Sequence, residues 1–111
     1  MMINKSTVGD VSIVAPKGTI DINTRAILKD ALHGLIDTGR TAILVDLSDV
    51  DFMTSTGLGV LLGVAKRVEE VDGKFALCSL SDDIQGIFET VGFTQFFDIH
   101  QNAKEALASL S

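Results

Sequence analysis

The sequence predicts an α/β fold: a mixed, mostly parallel sheet of four to five strands packed with about four helices, in the order β-β-α-β-α-β-α-β-α. Three features lead to it. Two short β-prone runs meet at a Gly-Asp pair, as the strands of a hairpin do. The runs Thr41–Leu47 and Phe75–Leu80 are nearly continuously apolar and of strand length, the pattern of strands covered on both faces. Stretches with helical apolar spacing separate and follow these runs, so a helix carries the chain from each strand to the next parallel one.

Each element has its own signal. Ile3, Lys5 and Thr7 alternate with Asn4, Ser6 and Val8; after Gly9-Asp10, Val11, Ile13 and Ala15 alternate with Ser12 and Val14. Pro16 lacks the N–H that a ladder uses and is expected to end the second strand, with Lys17-Gly18 turning the chain. Ile27, Leu28, Ala31, Leu32, Leu35 and Ile36 share one face of a first helix. Asp21, Asn23 or Thr24 is suited to cap its start, and Gly39 stands where a C′ glycine belongs. Thr41–Leu47 then reads as the central strand. Thr54-Ser55-Thr56 opens a second helix carrying Leu58, Leu61, Leu62, Ala65 and Val68, and Gly73 ends the charged stretch behind it. After the strand Phe75–Leu80, Ser81-Asp82-Asp83 caps a third helix with Ile84, Ile87, Phe88 and Val91, stopped by Gly92. Phe96–Ile99 reads as a short last strand, and Asn102 caps a final helix with Ala103, Ala106, Leu107 and Leu110 on one side.

Composition narrows the function. At 111 residues, residues 1–111 are expected to form a single domain around one core, and 46% apolar with 22% charged residues is the balance of a folded globule. The net charge of −6 repels phosphate backbones and anionic lipid, and Lys66-Arg67 is the only adjacent basic pair, so neither nucleic acid nor membrane is an expected partner. The longest apolar run, Gly57 to Ala65, falls far short of the roughly 20 residues that span a bilayer. No basic segment followed by an apolar one marks export, and a cytoplasmic monomer is expected. Cys78 has no disulfide partner, and His33 and His100 give it no metal-ligand spacing. With Trp and Tyr absent, flavins and bases lack their usual stacking platforms, and no cofactor is expected.

In an open α/β sheet, ligands and partners gather at the carboxyl ends of the strands. The loops there hold Asp21 and its neighbours, Ser48 to Thr56, and Ser79 to Asp83. The middle loop puts three hydroxyls, Thr54, Ser55 and Thr56, at a helix N-terminus followed by Gly57-Leu58-Gly59. Free N–H groups and the positive dipole end favour a phosphate at such a place, and simple capping by one hydroxyl is the other reading. Gly59 and Gly63, four apart, share a helix face that either admits a partner or packs on the protein's own sheet; Val60 and Val64 flank them. Asp21 either caps the first helix or helps shape the hydroxyl site.

Other chemistries fit less well. Thr54-Ser55-Thr56-Gly57 looks like the T-x-T-G phosphate loop of flavodoxins, but it follows the third predicted strand rather than the first. A serine hydrolase needs Gly two residues before its nucleophile, where Met53 stands before Ser55, and no His completes a triad. Cys78 reads as a small core residue, and Glu69, Glu70 and Asp72 as a solvated helix end. A non-enzymatic binding protein remains.

The run Val45 to Gly63, VDLSDVDFMTSTGLGVLLG, closely resembles the signature of STAS-domain anti-sigma factor antagonists, DLS-V-FMDSSGLG-LL, and Gly18-Thr19-Ile20-Asp21 looks like their GELD element. The resemblance covers essentially the whole chain and implies the STAS fold. It further implies phosphorylation on Ser55, with Thr54 and Thr56 as alternatives, in a phosphosite environment of Asp21, Thr54, Thr56 and Gly57. The kinase implied is an ATP-dependent GHKL-type serine kinase that is itself the anti-sigma factor. The unphosphorylated protein would bind it through Ser55, Thr56, Gly59, Val60 and Gly63 and release the sigma factor, and a PP2C-type phosphatase would reset the switch. Thr54 departs from the family's usual Asp, removing a charge and adding a hydroxyl. Some STAS proteins act instead as scaffolds, sensors or transporter-associated subunits, the alternative that keeps the fold and changes the task.

Overall fold

A computed structural model describes residues 1–110. Among them the chain forms β1 (Met2–Val8), β2 (Val11–Ile20), α1 (Arg25–Asp37), β3 (Ala42–Asp46), β4 (Val50–Met53), α2 (Ser55–Glu70), β5 (Lys74–Cys78), α3 (Asp82–Thr90), a 3₁₀ turn (Thr94–Phe96), β6 (Asp98–His100) and α4 (Ala103–Leu110). The sheet runs β1-β2-β3-β5-β6, with β4 paired to the far end of β2. The β1–β2 pair is antiparallel and the other pairs are parallel. β3 sits centrally, as its apolar run requires, and Ile43, Leu44 and Val45 have no exposed surface.

One sheet face carries Val14, Ile43, Val45 and Leu77 and is covered by Leu28, Leu32 and Ile36 of α1, by Leu58, Leu61, Val64 and Val68 of α2, and by Ile84 and Phe88 of α3. The opposite face carries Val11, Leu44, Ala76 and Cys78 and is covered by Ala106 and Leu110 of α4. Phe88, fully buried, meets Phe97 edge to face at 5.4 Å between centroids. Burial pushes the Cys78 thiol above its ordinary pKa, and the Asp46 carboxylate beside it adds to the rise; the group stays protonated and poorly nucleophilic.

Three expectations need correction. The sheet has six strands, because Val50–Met53 is a strand that sequence reading passed over. Its burial does not alternate: Val50 and Met53 are buried, Asp51 and Phe52 exposed. The cause is a register shift against β2, where Gly18 pairs with Val50 and Thr19 with Phe52, leaving Asp51 as the extra residue of a bulge. The order is therefore β-β-α-β-β-α-β-α-β-α, and the hydroxyl loop follows the fourth strand. Secondly, Pro16 does not end β2. It lies between Val14, the last residue paired with β3, and Gly18, the first paired with β4, where no parallel ladder needs its N–H. Thirdly, Phe96 lies in the 3₁₀ turn and Val91 is exposed at the α3 C-cap.

The helix ends follow the expected chemistry with one exchange. At α1, Gly39 has φ +87°, its N–H donates to Ile36 O (3.0 Å), and that of Arg40 donates to Leu35 O (2.9 Å), a Schellman closure. At α2, Asp72 takes the left-handed position (φ 58°), and Gly73 is needed for space instead. A Cβ at Gly73 would stand 2.4 Å from Thr41 O and 2.9 Å from Val68 Cγ1. Gly73→Ala is expected to cost about 1–3 kcal/mol, read as a lowered urea midpoint, whereas Asp72→Gly, which relieves the left-handed strain, should not lower it.

Candidate functional site

The pairing of β2 with β4 assembles the site. Ile20 is opposite Met53, and the Thr54 N–H donates to Ile20 O at 2.9 Å, so the strand ends deliver Asp21 and Thr54 side by side. Asp21 shapes its own loop: its Oδ1 accepts from the Asn23 N–H (2.9 Å), while its N–H donates to Thr24 Oγ1 (3.0 Å), which in turn donates to Thr19 O (2.7 Å). Thr24 occupies the α1 N-cap without a side-chain cap bond, so none of the three residues suited to cap α1, Asp21, Asn23 and Thr24, does so in the simple form. Among the described residues no hydrogen bond joins Asp21 to Ser55.

The three hydroxyls separate. Thr54 is the N-cap of α2 by backbone conformation, but its side chain caps nothing; its Oγ1 lies 2.7 Å from Thr56 Oγ1 and donates weakly toward Ile20 O at 3.4 Å. Simple capping therefore does not account for the cluster. Ser55, the first helical residue, is exposed and has no side-chain partner among the described residues. Thr54 O accepts from the N–H groups of Gly57 (3.0 Å) and Leu58 (3.2 Å). The first turn of α2 contains no acid, so no carboxylate within it offsets the positive end of the helix.

The glycines have distinct uses. Gly57 is buried, and a Cβ there would stand 2.7 Å from both Ile20 Cγ2 and Met53 Cγ; it lets the helix start close over the β2 and β4 ends. Gly59 and Gly63 face open space, with nothing within 4 Å of a built Cβ. They are not packed on the sheet. With Thr56 and Val60 they form one wall of a groove of about 470 Å³, whose other wall is Arg25, Ala26, Lys29 and His33 of α1. Val60 is half-buried against the core and Val64 is fully within it. At one end Arg67 of α2 reaches across to His33 Nδ1 (3.0 Å) and ion-pairs with Asp37, tying the helices together.

The basic wall escaped sequence reading, although Arg25, Lys29 and His33 recur every four residues and so share a helix face. Apolar periodicity had already accounted for the helix, which left its polar face unread. The other singled-out residues stay apart from the site: Cys78 is buried in the sheet, and His100 Nε2 lies 2.9 Å from Asp98 Oδ1 on β6.

The family model described as the STAS domain matches residues 2–106. The chain belongs to the STAS-domain family. Its relatives include BtrV of Bordetella bronchiseptica, provisionally named an anti-sigma factor antagonist, 29% identical over 109 residues that make up 98% of this chain and 93% of that one. The anti-sigma-B factor antagonist of Bacillus subtilis is 34% identical over 82 residues, 74% of each chain. The Bacillus cell fate determinant SpoIIAA, solved in its phosphorylated form, shares the fold with a TM-score of 0.76 and 20% identity, across 99% of this STAS chain and 100% of that one. The match to the STAS family leaves the flavodoxin likeness as a coincidence of four residues.

In this STAS domain, Gly59→Ala and Gly63→Ala have room for the added methyl group and gain helix propensity. Each is expected to raise stability by up to ~1 kcal/mol, measured by chemical unfolding, whereas Gly57→Ala should lower it by about 1–3 kcal/mol.

Proposed function

We propose that this protein is an anti-sigma factor antagonist, working as one cytoplasmic domain without a cofactor. Its unphosphorylated form binds an anti-sigma factor serine kinase of the GHKL type and so frees a sigma factor. The names of the relatives support the antagonist role. The observation that carries the switch is the placement of Ser55, exposed on an uncapped helix start beside the α1–α2 groove.

The physical reading is as follows. A kinase docks over Ser55 and Thr56, its backbone or small side chains approaching at Gly59 and Gly63, while Val60 adds apolar contact. The cationic wall of Arg25 and Lys29 suits acidic side chains on the partner. Transfer to Ser55 adds about −1.5 to −2 charges at that surface. The α2 N-terminus stabilises the phosphate, so the fold tolerates it. In the interface the phosphate brings a desolvation cost and competes with the partner's carboxylates for the α1 cations, and binding is lost. A PP2C-type phosphatase restores the docking form.

Incubation with ATP and the cognate kinase should place a phosphate on Ser55, mapped by mass spectrometry, and none on Ser55→Ala. Ser55→Ala should keep kinase affinity, while Ser55→Asp should lose at least roughly tenfold, or about 1.4 kcal/mol; equal binding by the two removes charge from the mechanism. Thr54 in place of the family's usual Asp, with its hydroxyl turned to Thr56, favours a second reading as a scaffold or sensor. Retained binding with no phosphate transfer would select it.

A further inference from the structure

The sheet ends on an open edge at β1. This strand pairs with β2 alone and is seven residues long, with no proline and a single charge, Lys5. β6 and β4, by comparison, have three and four residues. Proteins shorten, charge or cover such edges because the unpaired backbone groups on them recruit another strand. The register says which groups are free. Gly9 has φ 59° in a two-residue turn, so the closing pair, Val8 and Val11, exchanges both ladder bonds, and bonded pairs alternate from there. Ser6, Asn4 and Met2 thus bond to β2, while Thr7, Lys5 and Ile3 turn their N–H and C=O groups outward. Pro16, which has no N–H to give, falls opposite Ile3, at one of the non-bonded pairs.

Lys5 is paired with Val14, so Ile3, Lys5 and Thr7 stand on the sheet face that α1 covers. Beside the edge, Ile3 and Lys5 form a recess of about 500 Å³ with Ile27, Asp30 and Ala31 of α1. Ile27 is 45% exposed. Lys5 and Asp30 are both exposed, and neither has an ion pair among the described residues. The recess therefore holds an uncovered apolar side chain, an unpaired cation and an unpaired acid next to a row of free backbone groups. A surface that carries both halves of an ion pair, unjoined, is complementary to a rotated copy of itself.

We propose that β1 pairs antiparallel with β1 of a second copy of the chain, joining the two sheets about a two-fold axis, in place of the monomer expected from sequence. The register that pairs all of Ile3, Lys5 and Thr7 sets Lys5 opposite Lys5 of the second copy, and like charges directly opposite are unfavourable. A slide of one pleat sets Ile3 opposite Lys5 of the second copy and, by symmetry, Lys5 opposite Ile3. Each Lys5 then enters the other copy's recess, its stem along Ile27 and its ammonium toward Asp30, and the axis passes between Asn4 and its symmetry mate. The dimer uses the Ile27 and Ala31 side of α1 rather than the wall of Arg25, Lys29 and His33, so it does not rest on the Ser55 reading.

The test is sedimentation equilibrium of the full chain between about 10 µM and 500 µM, the range in which an interface as small as one strand pair associates. A concentration-dependent dimer is expected. Lys5→Glu and Asp30→Lys should each weaken it by at least about tenfold, and the variant carrying both should return to within about threefold of the original. Both positions are exposed, so the unfolding midpoint should hold. Crosslinking reads the register. The two Asn4 Cα atoms of the proposed pairing are about 4.5 Å apart, within disulfide range, so Asn4→Cys should give a disulfide dimer under mild oxidation and Ser6→Cys should not. Cys78 is buried and does not compete. A monomer at every concentration, no rescue in the charge-exchanged double variant, or crosslinking of Ser6→Cys as readily as Asn4→Cys would overturn the proposal.

Discussion

β2 serves two parallel partners in succession, and the rest of the site depends on that division. Over Val11–Val14 it pairs with β3, which anchors it in the sheet; over Gly18–Ile20 it pairs with β4, which turns its end toward α2. A proline between the two ladders and a bulge at Asp51 let one strand change neighbours without stranding buried backbone groups. The second ladder brings Asp21 and Thr54 together and fixes where α2 begins. Gly57 completes the arrangement, since any side chain there would lift the helix start off Ile20 and Met53.

What this geometry presents is a helix end without a side-chain cap. Thr54 could have capped α2, yet its hydroxyl is spent on Thr56, and no acid stands in the first turn. α3, by contrast, is capped by Ser81 and carries Asp82 and Asp83 in its first turn. The two helix starts therefore differ in charge: α3 carries two carboxylates in its own first turn, whereas α2 carries none. For the proposed switch this matters because a phosphate on Ser55 meets a favourable field in the free protein. Its penalty appears only in the complex, where solvent is removed and the cations of α1 are shared.

The α1–α2 groove adds a cost that packing alone does not explain. Gly59 and Gly63 weaken a surface helix without relieving any internal contact, and Arg25 and Lys29 line the groove's opposite wall with no ion pair to an acid among the described residues. Such choices lower stability in return for surface shape and charge, in keeping with the docking role proposed for this face. The Arg67 link to His33 and Asp37 closes one end and holds the walls at a set spacing.

Much was legible in the sequence because it rests on local rules. The hairpin at Gly9-Asp10, the central strand around Ile43 to Val45, the Gly39 closure and the Ser81 and Asn102 caps follow from residue type and spacing, as does the hydroxyl run at a helix start. The family signature between Val45 and Gly63 pointed to the STAS fold. Tertiary structure alone decided the rest. Val50–Met53 is a strand only because β2 lies beside it, and its bulge removes the alternation by which strands are read. Whether Thr54 caps α2 depended on Thr56 and Ile20. Whether Gly59 and Gly63 faced the sheet or open space depended on where α1 lay. The hydrogen bond from Arg40 to Ser12 joins residues 28 apart in sequence. Periodicity reports which face of an element is apolar, but which polar groups meet across elements is set by the packing itself.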